Sequence, residues 1–404
     1  MRATHPLRLP TSCTLRRLSA LTVVTLALTI SSCSLREGTQ SLAITSLTAQ
    51  EADAVKPQDS ISDMDNQPLS TASGVVTMST SYVAGGIGST AKEMATTVVS
   101  RERSTDKFQW AVSLKPAVAD QERTEYTNSA QSAMNNAMGR SSTGSVVVSP
   151  DGRHLSLILL PAEQQAGESA ADLRTHIVVL EAKTGKTVRD ATVSGIVLGQ
   201  ALTNSSLVVE TAQNYFPAGS GKGILTTFSL TDASAQPFSF PTDKWLVGAT
   251  RENLVLAPNR LPDDCVYGCS LTTVSLVSTE GTTTKSVSGV TAVHPGGWIH
   301  RFADPKAASA LHLRSKAATE EERKAISSSW ETLEQQLVNP SIMKTIDITG
   351  KDTFERGVPT GPGLLVKQEV PTGNGSTESK PAFWLSAADD GHPHTENLEQ
   401  FSVH

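Results

Sequence analysis

The residues with the most chemical potential in this chain are few and dispersed. Asp389, Asp390, His392, His394 and Glu396 crowd carboxylates and imidazoles into eight residues. That is the donor set of a surface copper, nickel or zinc site, or equally of a solvated polar loop near a chain end. Cys265 and Cys269 stand close together in Asp-Asp-Cys-Val-Tyr-Gly-Cys, and in an exported protein such a pair is expected to form a disulfide that staples a surface loop. A metal site would need further ligands at defined spacing, and no second cysteine pair supplies them; free thiols are the remaining alternative. His294, His300 and His312 fall around Trp298, where histidine among strands is usually structural. Ala218-Gly-Ser-Gly-Lys-Gly223 suggests a phosphate loop, but that motif needs Gly at 216 and Ser or Thr at 223, where this chain has Phe and Gly. No Gly-x-Ser-x-Gly elbow or readable carboxylate pair is present, and Asp263-Asp264 belongs to the cysteine loop. The sequence assigns no catalytic, cofactor-binding or metal residue.

The elements that carry these residues are short strands in a repeat. Residues 144–160 read as a strand, a Pro-Asp-Gly turn at 150–152 and a second strand; 175–180, a Lys-Thr-Gly-Lys turn at 183–186 and 187–193 complete a four-strand meander. The pattern returns from 196, from 245, from 291 and, more weakly, from 363. Its late turns at Gly185, Ala233, Gly281, Gly350 and Asp390 lie 48, 48, 69 and 40 residues apart, a self-similarity that marks stacked structural units.

Such units resemble the blades of a β-propeller of the WD40-like and quinoprotein-like (PQQ-repeat-like) kind. Ser149-Pro-Asp-Gly-Arg153 is similar to the inner hairpin of WD40-like blades, and Leu180-Glu-Ala-Lys-Thr-Gly-Lys186 to the quinoprotein blade motif. The resemblance covers about residues 143–400. Where the quinoprotein motif has a docking tryptophan after Thr-Gly-Lys, this chain has Val188 and Arg189, and no copy carries Trp-Asp. Residues 74–142 have length for one or two further blades. The fold class expected is therefore all-β, a propeller of six or seven four-stranded blades over 74–404, with a β-sandwich or two β domains as alternatives.

The long 69-residue interval holds an insertion. Thr319-Glu-Glu-Glu322 is a capping-box pattern, and Ile326, Trp330, Leu333 and Leu337 recur at helical spacing before Asn339-Pro340. A helix within 317–338 is expected, its apolar face either packed on a blade edge or offered as a partner-docking surface.

The N-terminus carries an address. Arg2, Arg8, Arg16 and Arg17 precede an apolar run from Leu18 to Ile30, then Ser31, Ser32 and Cys33, with no acidic residue before the cysteine. This is a secretory signal peptide over 1–32, too short in its apolar core to span a bilayer. Ile30-Ser-Ser-Cys33 resembles a bacterial lipobox, which implies that Cys33 receives a diacylglycerol group and becomes the mature N-terminus. Residues 33–73, rich in Ser, Thr, Gln, Asp and Ala, read as a flexible tether after the lipidated cysteine.

Composition sets the remaining bounds. The chain has 404 residues, 38% hydrophobic, with a net charge of -6, and loss of the four leader arginines makes it more acidic still. With no run of Lys or Arg after residue 17, a nucleic-acid partner is excluded. The expectation is an extracytoplasmic lipoprotein held to the cell membrane by its lipid anchor, serving as a non-catalytic binding or scaffolding module for an envelope protein or small ligand, with no cofactor. The alternatives are a propeller enzyme, quinone-dependent or hydrolytic, using a central funnel, or a sensory accessory lipoprotein.

Overall fold

Short alternating strands joined by tight turns must pair with their chain neighbours, and every sheet in this protein is antiparallel and built in nearly sequential order. The structure, a computed structural model, describes residues 42–55, 68–83, 93–117, 145–159, 174–212, 223–259, 261, 271–373, 376–396 and 398–401, all inside one compact unit, Gly38–His404. Cys33, the expected signal peptide at 1–32, Cys265 and Cys269 lie outside the described residues, as does most of the Gly-rich segment at 218–223.

The first sheet contains β1 (Ala43–Leu47), β2 (Leu69–Ser70), β3 (Val75–Val83), β4 (Glu93–Arg101) and β5 (Phe108–Lys115), in the order β1-β5-β4-β3-β2. A six-residue helix α1 (Ala49–Ala54) follows β1, its Thr48–Glu51 capping box intact. The second sheet runs β6 (Val146–Val148), β7 (His154–Ile158), β8 (Arg174–Glu181), β9 (Thr187–Ser194); the third runs β10 (Ile196–Leu202), β11 (Ser206–Ala212), β12 (Gly223–Ser229), β13 (Phe238–Thr242). A seven-stranded sheet follows, with β14 (Trp245–Ala249), β15 (Asn253–Ala257), β16 (Thr272–Ser278), β17 (Thr283–His294), β18 (Trp298–Phe302), β19 (Gln335–Asn339) and β20 (Lys344–Ile348). It is two four-stranded units sharing β17, whose first part pairs with β16 and whose last part, from Val290, pairs with β18. Gly289 between them has φ 74°, a left-handed bend that only glycine adopts freely. The final sheet holds β21 (Thr353–Val358), β22 (Gly361–Pro371) and β23 (Thr377–Ser386), with a single further bridge from Trp384 to His394.

The first five units thus follow the expected meander, their strands A to D in chain order, and the last supplies A to C with the Trp384–His394 bridge beside them. The all-β, four-stranded repeat is as read from the sequence, with three corrections. Residues 74–142 contribute to one unit among the described residues, and its first strand β2 begins at 69. Part of the supposed tether is structured, since β1 pairs along its whole length with β5, from Ala43 opposite Lys115 to Leu47 opposite Ala111. The last unit starts at β21, before 363: Thr-Phe-Glu-Arg-Gly-Val is a half-exposed strand without the apolar run that marks the others.

The A strands and B strands carry the core. All seven residues of β10 and all seven of β11 are buried, which is why they read as near-continuous apolar runs. Apolar clusters join first unit to second (Val98, Trp110, Leu155, Leu180) and second to third (Val179, Val209, Phe228), and so on round the chain. Packing between units is completed by a side chain set third in strand D. Trp110 of β5 lies on the Thr-Gly-Lys turn of the next unit, its indole N–H donating to Ala182 O at 2.9 Å. A Cβ on Gly185 would stand 2.5 Å from that ring. Arg189 of β9 donates to the carbonyls of Asp232, Ala233 (2.6 Å) and Ala235 in the next late turn. Phe240 of β13 rests on Gly281, and Trp298 with Ile342 on Gly391. The periodic turns seen in the sequence are therefore the sockets into which the preceding unit docks.

Trp110→Ala is expected to lower the unfolding free energy by about 3–5 kcal/mol, the usual loss for a buried tryptophan. Gly185→Ala also destabilises, because its φ of 69° and the Trp110 ring both oppose a Cβ. Urea denaturation of the two variants checks both; an unchanged midpoint in either would refute the docking role.

Candidate functional face

In an antiparallel meander successive connections alternate between the two ends of the sheet. The A–B and C–D turns therefore share one end of each unit, and the B–C and D–A connections the other. Contacts among the A–B turns show that the units are stacked in the same sense. Ala72 N–H donates to Gly152 O at 3.0 Å, Asp151 N–H to Asn204 Oδ1 at 3.1 Å and Asn204 N–H to Arg251 O at 2.9 Å. A Cβ on Gly297 would meet Thr250, one on Gly296 would meet Ala387, and one on Gly361 would stand 3.1 Å from the Cα of Gly152. The last of these contacts returns the final unit to the beginning of the stack. Arg251 reaches furthest, donating through Nε to Ala387 O at 2.9 Å and through Nη2 to Asp389 O. Among the described residues the first and last sheets are each built from their own part of the chain.

This turn end is tight and self-satisfied. A hydroxyl closes the A–B hairpin in four units: Thr71 Oγ1 accepts from Gly74 N–H (3.2 Å), Ser149 Oγ from His154 N–H (3.0 Å), Thr203 Oγ1 from Ser206 N–H (2.9 Å) and Thr250 Oγ1 from Asn253 N–H (3.0 Å). All four residues are fully buried. A Ser or Thr at each hairpin was visible in the sequence, but its meaning required the turn geometry.

Among the described residues the opposite end carries the longest connection, 303–334 between strands B and C, and β22 and β23 project there as a hairpin whose outer half, from Gln368 to Lys380, is exposed on its described residues apart from the half-buried Thr372. By chain order residues 84–92, 159–173, 213–222 and 258–271 also join strands B to C. The pair Cys265 and Cys269 and the Gly-rich loop both belong to these connections by chain position.

The insertion at 303–334 departs from expectation. It is a helical pair, α2 (Pro305–Ala317) capped by Asp304 and α3 (Glu320–Glu331) capped by Thr319 with Glu322. The capping box is where the sequence placed it; α2, without a marked apolar stripe, was not foreseen. Ile326 and Trp330 are 2% and 3% exposed and pack with Phe302 and Ala308, with Leu333 against them. The ring of Trp330 lies 5.3 Å from that of Phe302. Leu337 is not on the helix at all but on β19, fully buried beside Trp298 and Leu364. The face proposed for partner docking is thus occupied within the chain, because α3 ends at Glu331 and a strand resumes four residues later.

The imidazoles divide into two settings. His394 stacks on Trp384 with ring centroids 3.9 Å apart, and its Nε2 and Nδ1 meet Asp389 Oδ2 at 2.8 Å and Glu396 Oε1 at 2.9 Å. Partial burial opposes its charge, yet the hydrogen bonds to both carboxylates raise its pKa above the ordinary histidine value. With each ring nitrogen facing a carboxylate, His394 joins Asp389 and Glu396 at the edge of β23. Among the described residues no group of three or more His, Cys, Asp or Glu side chains is arranged to hold a metal ion. His294 and His300, by contrast, are buried between the fifth and sixth units with Phe354 5.3 Å from each ring. His300 Nε2–H donates to Gln335 Oε1 at 2.7 Å. Burial pushes His294 down to about 3, helped by His300 and Arg356, and burial lowers His300 too, against its bond to Gln335 and the nearby Asp352. His312 sits on α2.

No family model and no curated protein matches the chain. Among solved structures it is similar to the β-propeller domain of the Trilobed protease from Pyrococcus furiosus, described as having an open velcro topology, at 11% identity over 79% of this chain and 82% of that one, TM-score 0.36. It is also similar to the Pyrococcus horikoshii acylaminoacyl peptidase, at 10% identity over 78% of this chain, TM-score 0.37; it spans 45% of that protein's length. A third likeness is to Synechocystis apocarotenoid oxygenase, at 8% identity over 80% of this chain and 89% of that one, TM-score 0.30.

Two outcomes follow from the geometry. Trp330→Ala is expected to cost about 3–5 kcal/mol of stability, measured by chemical denaturation; a variant as stable as the parent would show that the helix face is not part of the core. His294 is neutral in the fold, so the unfolded state takes up its proton first. The unfolding free energy should therefore fall as pH drops from about 6.5 toward 3, by up to about 1.4 kcal/mol per pH unit for that group. Denaturation at pH 7, 5.5 and 4.5 should show a shallower slope in His294→Leu than in the parent.

Proposed function

We propose that this protein is an extracytoplasmic, lipid-anchored binding or scaffolding module: a six-bladed β-propeller that receives its partner on the face bearing the long connections. The observation that carries this reading is the segregation just described. One end of the stack is closed by short hydroxyl-capped turns packed backbone against backbone, and the other bears the helical pair and the projecting hairpin. Rigid scaffolds place recognition on the end whose loops are free to vary in length without disturbing the core. The six successive antiparallel units, counted with β17 shared and with the three strands β21 to β23 as the last, support the blade number. The lipobox-like Ile-Ser-Ser-Cys33 and the charged-then-apolar leader support export and anchoring.

Two measurements test it. Metabolic labelling with an alkyne fatty acid should mark the protein, and Cys33→Ser should lose the label and leave the membrane fraction. Photo-crosslinking residues placed in cells at Leu313, 67% exposed on α2, and at Lys183 in a C–D turn should yield a defined adduct from the former alone. Adducts from Lys183 and none from the loop face would reject the assignment.

A further inference from the structure

Among the described residues the sixth unit has no fourth strand, and what stands in that place is a different kind of element. In the fifth unit β20 pairs with β19 along its length, from Gln335 opposite Ile348 to Asn339 opposite Lys344. Beyond β23 the chain makes a single bridge, Trp384 N–H donating to His394 O and His394 N–H to Trp384 O, each at 2.9 Å. After that bridge it forms one turn of 3-10 helix, Leu398–Phe401.

That turn also covers a face of the sheet. Successive residues of a strand point to opposite faces. Leu364, Val366 and Leu385 pack with Trp298 and Leu337 of the fifth unit. Leu365 and Trp384, opposite each other across the ladder, lie on the other face and are buried with Val358. Elsewhere such a face meets the next unit, as Val98 and Trp110 of the first meet Leu155 and Leu180 of the second. Here Leu398 and Phe401 pack against it.

The segment is fixed at its start and lightly held beyond. Arg251 holds Ala387 O, and Gly391 lies against Trp298. Past Gly391 the Trp384 indole N–H donates to Glu396 O at 3.3 Å. The His394 ring stacks on that indole between Asp389 Oδ2 and Glu396 Oε1. Protonated, the imidazole donates to both carboxylates; neutral, it turns one lone pair toward an anion. These carboxylates are the charged groups facing the ring. On the adjoining turn Arg251 donates to Asp389 O, and His392 meets Asp390 at 3.1 Å and Lys344 at 3.4 Å. Partial burial opposes the charge on His394, but its bonds to Asp389 and Glu396 prevail and raise its pKa. Its stabilisation is therefore complete below the ordinary histidine value and lost as pH rises through the folded one.

We propose that the chain beyond Gly391 is a releasable strap standing in for a fourth strand, hinged at the turn held by Arg251 and Trp298, and that loss of the His394 proton loosens it and uncovers Val358, Leu365 and Trp384. One bridge and one helical turn make a local opening far less costly than unfolding the sheet beneath.

The test is amide hydrogen exchange on the full chain, resolved to single residues by fragmentation in the mass spectrometer. The Trp384 and His394 amides are expected to exchange about tenfold or more faster than the β20 amides that bond β19, as local opening requires. Phe401→Ala should accelerate Trp384 and His394 severalfold and leave β20 unchanged. Between pH 6 and pH 8, after correction for the intrinsic rate, their protection should fall about two- to fivefold, the scale of a partly exposed ion pair, and His394→Gln should show no such fall. Trp384 and His394 as well protected as β20 would overturn the strap. Acceleration of β20 along with them in Phe401→Ala would make the turn an ordinary part of the core and overturn it equally. A pH dependence absent from the parent, or retained in His394→Gln, would overturn the role given to the proton.

Discussion

A four-stranded meander buries one face only when another sheet covers it, so no unit of this protein is stable by itself and everything depends on how each meets the next. That meeting is made at the late turn. A side chain third in strand D, whether Trp110, Arg189 or Phe240, enters a turn of the following unit that is open because a glycine or a small residue leaves room. The indole combines a large apolar contact with one hydrogen bond, whereas the guanidinium satisfies three turn carbonyls with one planar fork. Different chemistry at one geometric position explains why the repeat keeps its 48-residue spacing while losing its tryptophan signature.

From this docking follows the polarity of the whole stack. Units joined in the same sense bring all their A–B hairpins to one end, where buried Ser and Thr hydroxyls close the turns and Arg251 ties the fourth unit to the sixth. Backbone approach there is as close as Gly152 against Gly361, which leaves length variation to the other end. The functional reading derives from that asymmetry, and the register of β1 places its start, Ala43 opposite Lys115, at the end away from the A–B hairpins.

The clusters with chemical potential are absorbed largely by the same architecture. His394, between two carboxylates and stacked on Trp384, supplies the one bridge at the outer edge of the last sheet. Because its pKa is raised, that contribution is present below the ordinary histidine value and lost as pH rises through the folded one. His294 and His300 sit in the seam between the fifth and sixth units, where their neutral forms are part of the packing. Ile326 and Trp330 hold the helical pair against Phe302.

How much of this was legible depended on the range of the interaction. Local chemistry determined the strands, the hairpins and the capping box at Thr319, because turn residues, alternation and caps act over a few positions. The periodic turns were visible too, yet their role as sockets was not, since Trp110 and Gly185 are 75 residues apart and only packing brings them together. β1 looked like tether because five half-exposed residues, Ala-Ile-Thr-Ser-Leu, carry too little apolar pattern to announce a strand; its edge partner β5 supplies the hydrogen bonds that order it. Leu337 matched a helical period and became a strand residue because pairing with β18 and β20 outweighs local spacing. Residue order alone was enough for the all-β repeat and its turns, because these are set by short-range propensity and spacing. Which end is closed, which bears the loops and where the chain enters were decided by tertiary structure alone, because they follow from contacts between segments far apart along the chain.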